Sequence, residues 1–402
     1  MKRVYRGRIK ISKKMDQVYE LTELQKKMYI CNGLPIYRLP FLMELPQHIT
    51  NSETATALWA TLQNHPTLQI NYFYEKDQRR FFQKFVPLEE RLVELVSIAG
   101  IGDVYAYIER KEHILDLTKG YPWKAEILET KNKRYLYIEF HHICIDGLGI
   151  RNFEKEFLSR LFGNKDTFIS SDLYSYSKIK AVKEEAGAGA LLAPEETGRV
   201  KKAKLAFAGK QSCRLDPQLV KKVAEHAKKL GVTKNIFYQS IFEKVTEDHF
   251  QGKLYGIVGN WRLTGLDFAE IGCFVRMFPE KRESQLSIKK NAQRLFTHTV
   301  QRFGQREVLE KITAHQYKVI YSYEENMFDS FEFVPVDKLC KFDFYFRIEQ
   351  KKEQTFLEIE YSQNYFSDSR IKKILKDFCR WIAIYSLEES VNENYQSAVG
   401  NN

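Results

Sequence analysis

Hydrophobic and polar positions alternate most regularly between Arg134 and His142. In an extended segment Leu136, Ile138, Phe140 and His142 share one face, and Tyr135, Tyr137, Glu139 and His141 share the other. The apolar run Trp123 to Leu128 precedes it across Lys131-Asn132-Lys133, which predicts an antiparallel hairpin. Upstream, Leu21 to Cys31 has a helical period, and Asn51-Ser52-Glu53 ahead of Ala55, Leu58 and Leu62 predicts a capped second helix. Strands are expected around Leu68 to Tyr74 and Arg80 to Val86, with helices near Asp103 to Glu112 and Arg151 to Phe162. The first half therefore reads as a mixed α/β lobe.

Between Ser170 and Lys210 the apolar period disappears. Glu184-Glu185-Ala186-Gly187-Ala188-Gly189-Ala190 and Pro194-Glu195-Glu196 read as a surface connection, which divides the chain into 1–169, 170–210 and 211–402. Beyond it, Asp216-Pro217 is a helix start, with Val220, Val223 and Ala227 inward and Gly231 at the end. Thr233 caps a further helix reaching Phe250. Strands follow at Lys253 to Val258, Gln316 to Tyr323, Phe342 to Glu349 and Phe356 to Tyr361, then an amphipathic helix from Asp368 to Tyr385. The expectation is a second lobe of similar make-up, in a fold of the α+β type.

Composition supports two sizeable cores: the chain has 402 residues, 44% hydrophobic and 14% aromatic. No apolar run is long enough for a bilayer span, and Met1-Lys2-Arg3-Val4-Tyr5-Arg6 has no apolar segment behind it, so a cytoplasmic protein without a membrane partner is expected. The six cysteines are scattered, with no CxxC pair and no Cys/His cluster, and are expected as free thiols without a metal. Net charge is +11, with basic clusters at Lys201-Lys202-Ala203-Lys204 and Lys221-Lys222. Such clusters are solvated faces or meet an anionic partner, and no nucleic-acid motif accompanies them.

The candidate chemistry stands at the end of the alternating strand, in Phe140-His141-His142-Ile143-Cys144-Ile145-Asp146-Gly147, an HHxxxDG pattern. His142 falls with the apolar set, where burial favours a neutral imidazole able to accept a proton. Taken singly, a histidine there is an ordinary core residue and Asp-Gly an ordinary turn. The complete pattern is more specific than its parts.

That pattern resembles the catalytic motif of the condensation domains of non-ribosomal peptide synthesis, in the superfamily of chloramphenicol acetyltransferase. Leu21-Thr22-Glu23-Leu24-Gln25-Lys26-Lys27-Met28-Tyr29 is similar to the family's opening helix motif, with Gln25, Met28 and Tyr29 matching. Asp116-Leu117-Thr118-Lys119-Gly120-Tyr121-Pro122-Trp123 resembles the lead into the catalytic hairpin. Gly259-Asn260-Trp261-Arg262 and Ile271-Gly272-Cys273-Phe274-Val275 resemble the arginine and IGxFV segments. The matches cover nearly the whole chain in order. Departures occur where the family carries Arg-His-Glu and a second arginine, since this chain reads Asn64-His65-Pro66-Thr67-Leu68-Gln69. Arg276 replaces the asparagine after FV, and Asp172-Leu173-Tyr174-Ser175-Tyr176 stands for the aspartate-tyrosine motif.

The resemblance implies two acetyltransferase-like lobes forming a V, with a tunnel between them, and acyl transfer from a thioester. It implies His142 as base or orienting group, with the Gly147 N–H as a candidate donor to the tetrahedral oxyanion. Gly147 and Gly149 suit a close approach of backbone to ligand, or simply form a turn. The matching aspartate of the family is structural and paired with an arginine, which puts Asp146 and Arg262 in those roles, and loss of one partner would cost about 3 to 5 kcal/mol. His141 supports the backbone. Ser322, Asn326 and Arg276 are candidate tunnel or substrate contacts. No cofactor is expected to be bound; the acyl group would arrive on the phosphopantetheine of a carrier protein or as a coenzyme A thioester. Carrier proteins are the expected partners, for a monomer or for part of a larger synthetase. Three functions stay open: amide-forming condensation, a free-standing O- or N-acyltransferase, and a non-catalytic docking module.

Overall fold

Thr22 and Thr50 each begin a helix with a reciprocal capping box, in which the threonine side chain accepts the third helical N–H and the Gln25 or Glu53 side chain returns to the threonine N–H. The computed structural model describes residues 18–88, 93–112, 114–164, 166–173, 175–176, 206–250, 252–264, 266–283, 285–304, 318–325 and 328–399. The connection expected at 170–210 therefore lies largely outside the described residues, as do Lys201, Lys202 and Lys204, Tyr174 and Asn326.

The chain divides into two compact units. In the first, β1 (Val18–Glu20), α1 (Glu23–Ile30), β2 (Arg38–Leu45), α2 (Asn51–Gln63), β3 (Ile70–Glu75) and β4 (Arg80–Phe85) are followed by β5 (Val93–Ser97), α3 (Ile101–Arg110), β6 (Trp123–Glu129), β7 (Arg134–His141) and α4 (Gly147–Leu161). Asp267–Cys273 and Ser330–Val336 from the second half of the chain also belong to this unit. The latter carries the short strand Glu332–Phe333, β12 in chain order, which extends one sheet to the order β12-β2-β7-β6-β5. Strands β1-β4-β3 form a smaller sheet.

The predicted hairpin is β6 and β7, paired antiparallel from Trp123↔Phe140 to Glu129↔Arg134. Its alternation does not divide core from solvent, because β7 lies inside the sheet and is covered on both faces. The Phe140 ring meets Phe153 of α4, while Tyr135 and Tyr137 pack with Val104 and Ile108 of α3. Complete burial of one such apolar side chain contributes about 1.5 to 3 kcal/mol.

The second unit contains β8 (Ala208–Arg214), α5 (Pro217–Lys229), α6 (Lys234–Thr246), β9 (Leu254–Asn260), β10 (Val275–Lys281), α7 (Ile288–Gly304), β11 (Val319–Glu325), β13 (Phe344–Lys351), β14 (Gln354–Ser362) and α8 (Asp368–Val399). Its mixed sheet has the order β10-β9-β11-β13-β14-β8. Val223, Phe242 and Phe378 from three helices meet Phe346 and Ile359 of the sheet in one core. Asp216 caps α5 with Pro217 at its first position, and Thr233 caps α6, as expected from the sequence. The fold is mixed α/β throughout. Among the described residues no helix is long and apolar enough to cross a membrane.

Candidate active site

The HHxxxDG segment is where β7 leaves its sheet and turns directly into a helix. The His141 N–H donates to Pro122 O at 2.7 Å and the His142 N–H to Tyr37 O at 2.8 Å. Tyr37 has φ of +65°, an unusual conformation for an aromatic residue. The chain then folds back, with the Cys144 N–H donating to His141 O at 3.1 Å. Asp146 accepts the Gly149 N–H at 2.7 Å and so caps α4. The helix consequently starts at Gly147, earlier than the Arg151 start the apolar pattern suggested.

His142 is half-buried, whereas His141 is only 1% exposed. Strand alternation ends at His141, so the inward position expected for His142 from the pleat does not apply. His142 Nδ1 lies 2.8 Å from Ile145 O. A carbonyl oxygen can only accept, so Nδ1 carries the proton and, in the neutral ring, Nε2 is the basic atom. His141 has the opposite arrangement: its Nδ1 accepts the Ile143 N–H at 3.1 Å, which puts the neutral ring's proton on Nε2. Backbone groups thus select a different tautomer for each of two adjacent histidines.

The turn is held from several sides. Buried Gln25 donates through Nε2 to Ile143 O at 3.1 Å. The Asp146 N–H donates to Gly272 O at 3.1 Å. A Cβ on Gly149 would sit 2.8 Å from Ile145 Cγ1 and 3.2 Å from Gly272 O, so this glycine is required for close packing. Asp267–Cys273 is itself secured: Thr67 Oγ1 donates to Ile271 O at 2.7 Å, and the Cys273 N–H donates to the Tyr176 hydroxyl oxygen at 3.0 Å. Glu270 accepts from the Asp172 N–H at 3.3 Å and from the Ser175 hydroxyl. Sequence reasoning assigned no site role to Ile145, Tyr37 or Thr67, because a backbone acceptor or a contact distant in sequence leaves no local pattern.

Residues 15–164 match the family model described as Condensation domain. The resemblance implied by the motifs is borne out: the chain is condensation-domain-like. It is 30% identical over 111 residues to the nonribosomal peptide synthetase acrB of Aspergillus aculeatus, covering 26% of this chain and 7% of that protein. It is 28% identical over 136 residues to N-(5-amino-5-carboxypentanoyl)-L-cysteinyl-D-valine synthase of Amycolatopsis lactamdurans, covering 33% of this chain and 4% of that protein. The matches thus span only a small part of these relatives' length. In fold, the condensation domain from the Monacolin K polyketide synthase MokA aligns over 92% of this chain and 98% of its own, with TM-score 0.75 and 12% identity. The epimerization domain of the third module of tyrocidine synthetase B aligns over 93% and 96%, with TM-score 0.71 and 13% identity. These alignments give the two-lobed acetyltransferase-like fold.

The segment that lacks the condensation-domain arginines is nevertheless fully engaged. Buried Glu156 of α4 accepts from Asn64 Nδ2 at 3.1 Å, His65 Nε2 at 2.8 Å and Arg160 Nε at 2.8 Å. The Ser171 N–H donates to His65 Nδ1 at 3.3 Å, so His65 presents its Nε2 proton to Glu156. Burial pushes the Glu156 carboxyl up, but His65 and Arg160 outweigh it and hold the group below its ordinary value. Gln69 donates through Nε2 to Leu62 O and Gln63 O at 3.1 Å each, closing the end of α2. Asn64 and Gln69 here serve the scaffold that carries α4.

The other sequence candidates lie in the second unit. Arg262 is buried, donates through its N–H to Asn260 Oδ1 at 2.9 Å, and has its guanidinium 4.7 Å from the Phe274 ring centroid. Arg276 is buried between Trp261 and Phe278, 3.9 and 4.1 Å from their ring centroids. Ser322 is buried in β11 and donates to Glu324 Oε1 at 3.1 Å. Among the described residues no group of three or more His, Cys, Asp or Glu is placed to hold a metal ion, and the six cysteines are free thiols.

Proposed function

We propose that the chain catalyses condensation-type acyl transfer, passing a thioester-bound acyl or peptidyl group to an amine in nonribosomal peptide assembly, with His142 as base or orienting group. The observation that carries this reading is the bond between His142 Nδ1 and Ile145 O at 2.8 Å, which leaves Nε2 of a half-buried imidazole as the basic atom. As the neutral amine attacks the thioester carbonyl, a C–N bond forms and Nε2 takes a proton from the nitrogen. The intermediate then collapses, the C–S bond breaks, and the imidazolium returns the proton to the thiolate. Gly147 is the first residue of α4, and its N–H has no acceptor within the helix; it is the candidate donor to the oxyanion. Asp146 and Gly149 act by holding that helix start.

The thioester would be presented on the phosphopantetheine of a carrier protein or as a coenzyme A derivative. Both are anionic, and the net charge of +11 favours their encounter. Intact-mass detection of product, across acyl carrier proteins and acyl coenzyme A offered with amine and alcohol acceptors, tests the reading. Amide formation supports it. Ester formation would instead indicate an O-acyltransferase, and no transfer from any donor would overturn it.

The second reading is a non-catalytic docking module, supported by Asn64 and Gln69 standing where condensation domains carry arginines. The X-domain from teicoplanin biosynthesis, solved in complex with OxyB, aligns over 92% of this chain with TM-score 0.69. Unaltered carrier binding without transfer is the outcome this second reading expects.

A further inference from the structure

We propose that Gln25 is a positioning residue for His142, acting through the Ile143 peptide; the kinetic part of this inference rests on the function proposed above. Gln25 is fully buried. Its Oε1 accepts from the Thr22 N–H at 3.1 Å and the Thr22 hydroxyl at 3.2 Å, completing the capping box of α1. A glutamate would close that box equally well, so the helix does not require an amide. The amide adds one donor, Nε2, and it goes to Ile143 O, 118 residues away in sequence.

Ile143 directly follows His142, and its peptide groups are held from both sides. Gln25 holds the carbonyl and His141 Nδ1 accepts the N–H. Rotation about the bonds on either side of this residue would swing the imidazole away from Ile145 O and change the direction of Nε2. A carboxylate cannot donate to a carbonyl and an ammonium cannot accept from the cap; an amide does both. Gln25 thus couples the start of α1 to the orientation of the base without touching the substrate.

The test compares Gln25→Met, which loses both functions at similar volume, with Thr22→Val, which loses the cap hydroxyl but keeps the bond to Ile143. Both variants should melt at lower temperature than the parent. Thr22→Val should keep kcat within about twofold, while Gln25→Met should lose on the order of ten- to a hundredfold in kcat at little-changed KM. The ring-nitrogen chemical shifts of isotope-labelled histidine, with His142 assigned from the His142→Ala spectrum, should move toward a tautomer mixture in Gln25→Met alone. This readout needs no turnover, so it decides the inference even if no donor is ever accepted. Gln25→Glu, which keeps the cap, covers the case in which Gln25→Met does not fold. Its introduced carboxyl can donate to Ile143 O only while protonated, so the His142 shifts should change as it ionises, unlike those of the parent over the same pH range. Equal kinetic losses in Gln25→Met and Thr22→Val, His142 shifts unchanged in Gln25→Met, or shifts in Gln25→Glu that follow the parent's at every pH would each overturn the proposal.

Discussion

His142 donates its Nδ1 proton to the carbonyl of Ile145, three residues further along the same turn, at 2.8 Å. The bond fixes the ring and the turn together, so its structural and chemical contributions can be separated. In His142→Asn the side-chain amide nitrogen can occupy the position of Nδ1 and keep the bond to Ile145. In His142→Leu that carbonyl loses its partner, at about 0.5 to 1.5 kcal/mol for one net hydrogen bond. Denaturant unfolding should therefore rank the asparagine variant close to the parent and the leucine variant below it.

Gly149 offers a steric test of the same turn. An added Cβ would lie 2.8 Å from Ile145 Cγ1, with Asp146 Oδ1 and Gly272 O each at 3.2 Å, and two of these three atoms belong to the turn itself. Gly149→Ala should destabilise by about 1 to 3 kcal/mol through overpacking. It should also reduce transfer, because relief requires Ile145 or the start of α4 to move. Thermal melting and the rate of product formation check both parts.

Acid should weaken the scaffold at a definite point. The Glu156 carboxyl lies below its ordinary value when folded, held there against burial by His65 and Arg160. Its contribution is complete above the unfolded value of about 4.3 and is lost as pH falls through the lower folded value. Glu156→Gln should be less stable than the parent near neutrality, because Asn64, His65 and Arg160 lose their shared charged acceptor. The gap should stay constant down to about pH 5 and narrow below that. Denaturant midpoints measured across pH provide the check.

Cys144 reports whether the turn opens. Its thiol is buried, and burial pushes it well above its ordinary value. Brief alkylation of the folded protein at mildly alkaline pH should leave Cys144 unmodified while partly exposed cysteines such as Cys379 react. Peptide mass mapping, with and without denaturant, measures this.

Local signals in the sequence had a local cause. The β6–β7 hairpin and the starts of α5 and α6 were legible because alternation, Asp216-Pro217 and Thr233 act within a few residues. Strand β2 was not: Pro40 interrupts it, and burial of most positions on both faces removes the alternation that marks a half-buried strand. β8 is polar at Lys210, Gln211 and Ser212 because it is an edge strand, and it merged with the connection before it. β12 exists only because Glu332 and Phe333 pair with Leu42 and Phe41, a partnership no window of sequence contains. The site followed the same rule. His142 and Asp146 were visible as a motif, while the bond from Gln25 to Ile143 and the latch from Thr67 to Ile271 depend on tertiary contact. The departure from the family's arginines is visible in the sequence, whereas the convergence of Asn64, His65 and Arg160 on Glu156 depends on tertiary contact.

The most direct test of the central claim is single-turnover amide formation from an acyl-loaded carrier protein and an amine, comparing the parent with His142→Asn. Loss of the base from an intact turn should slow amide formation by about a hundred- to ten-thousandfold while carrier binding is unchanged. Amide formation at the parent rate by the folded asparagine variant would contradict the assignment of His142 Nε2 as the group that accepts the proton.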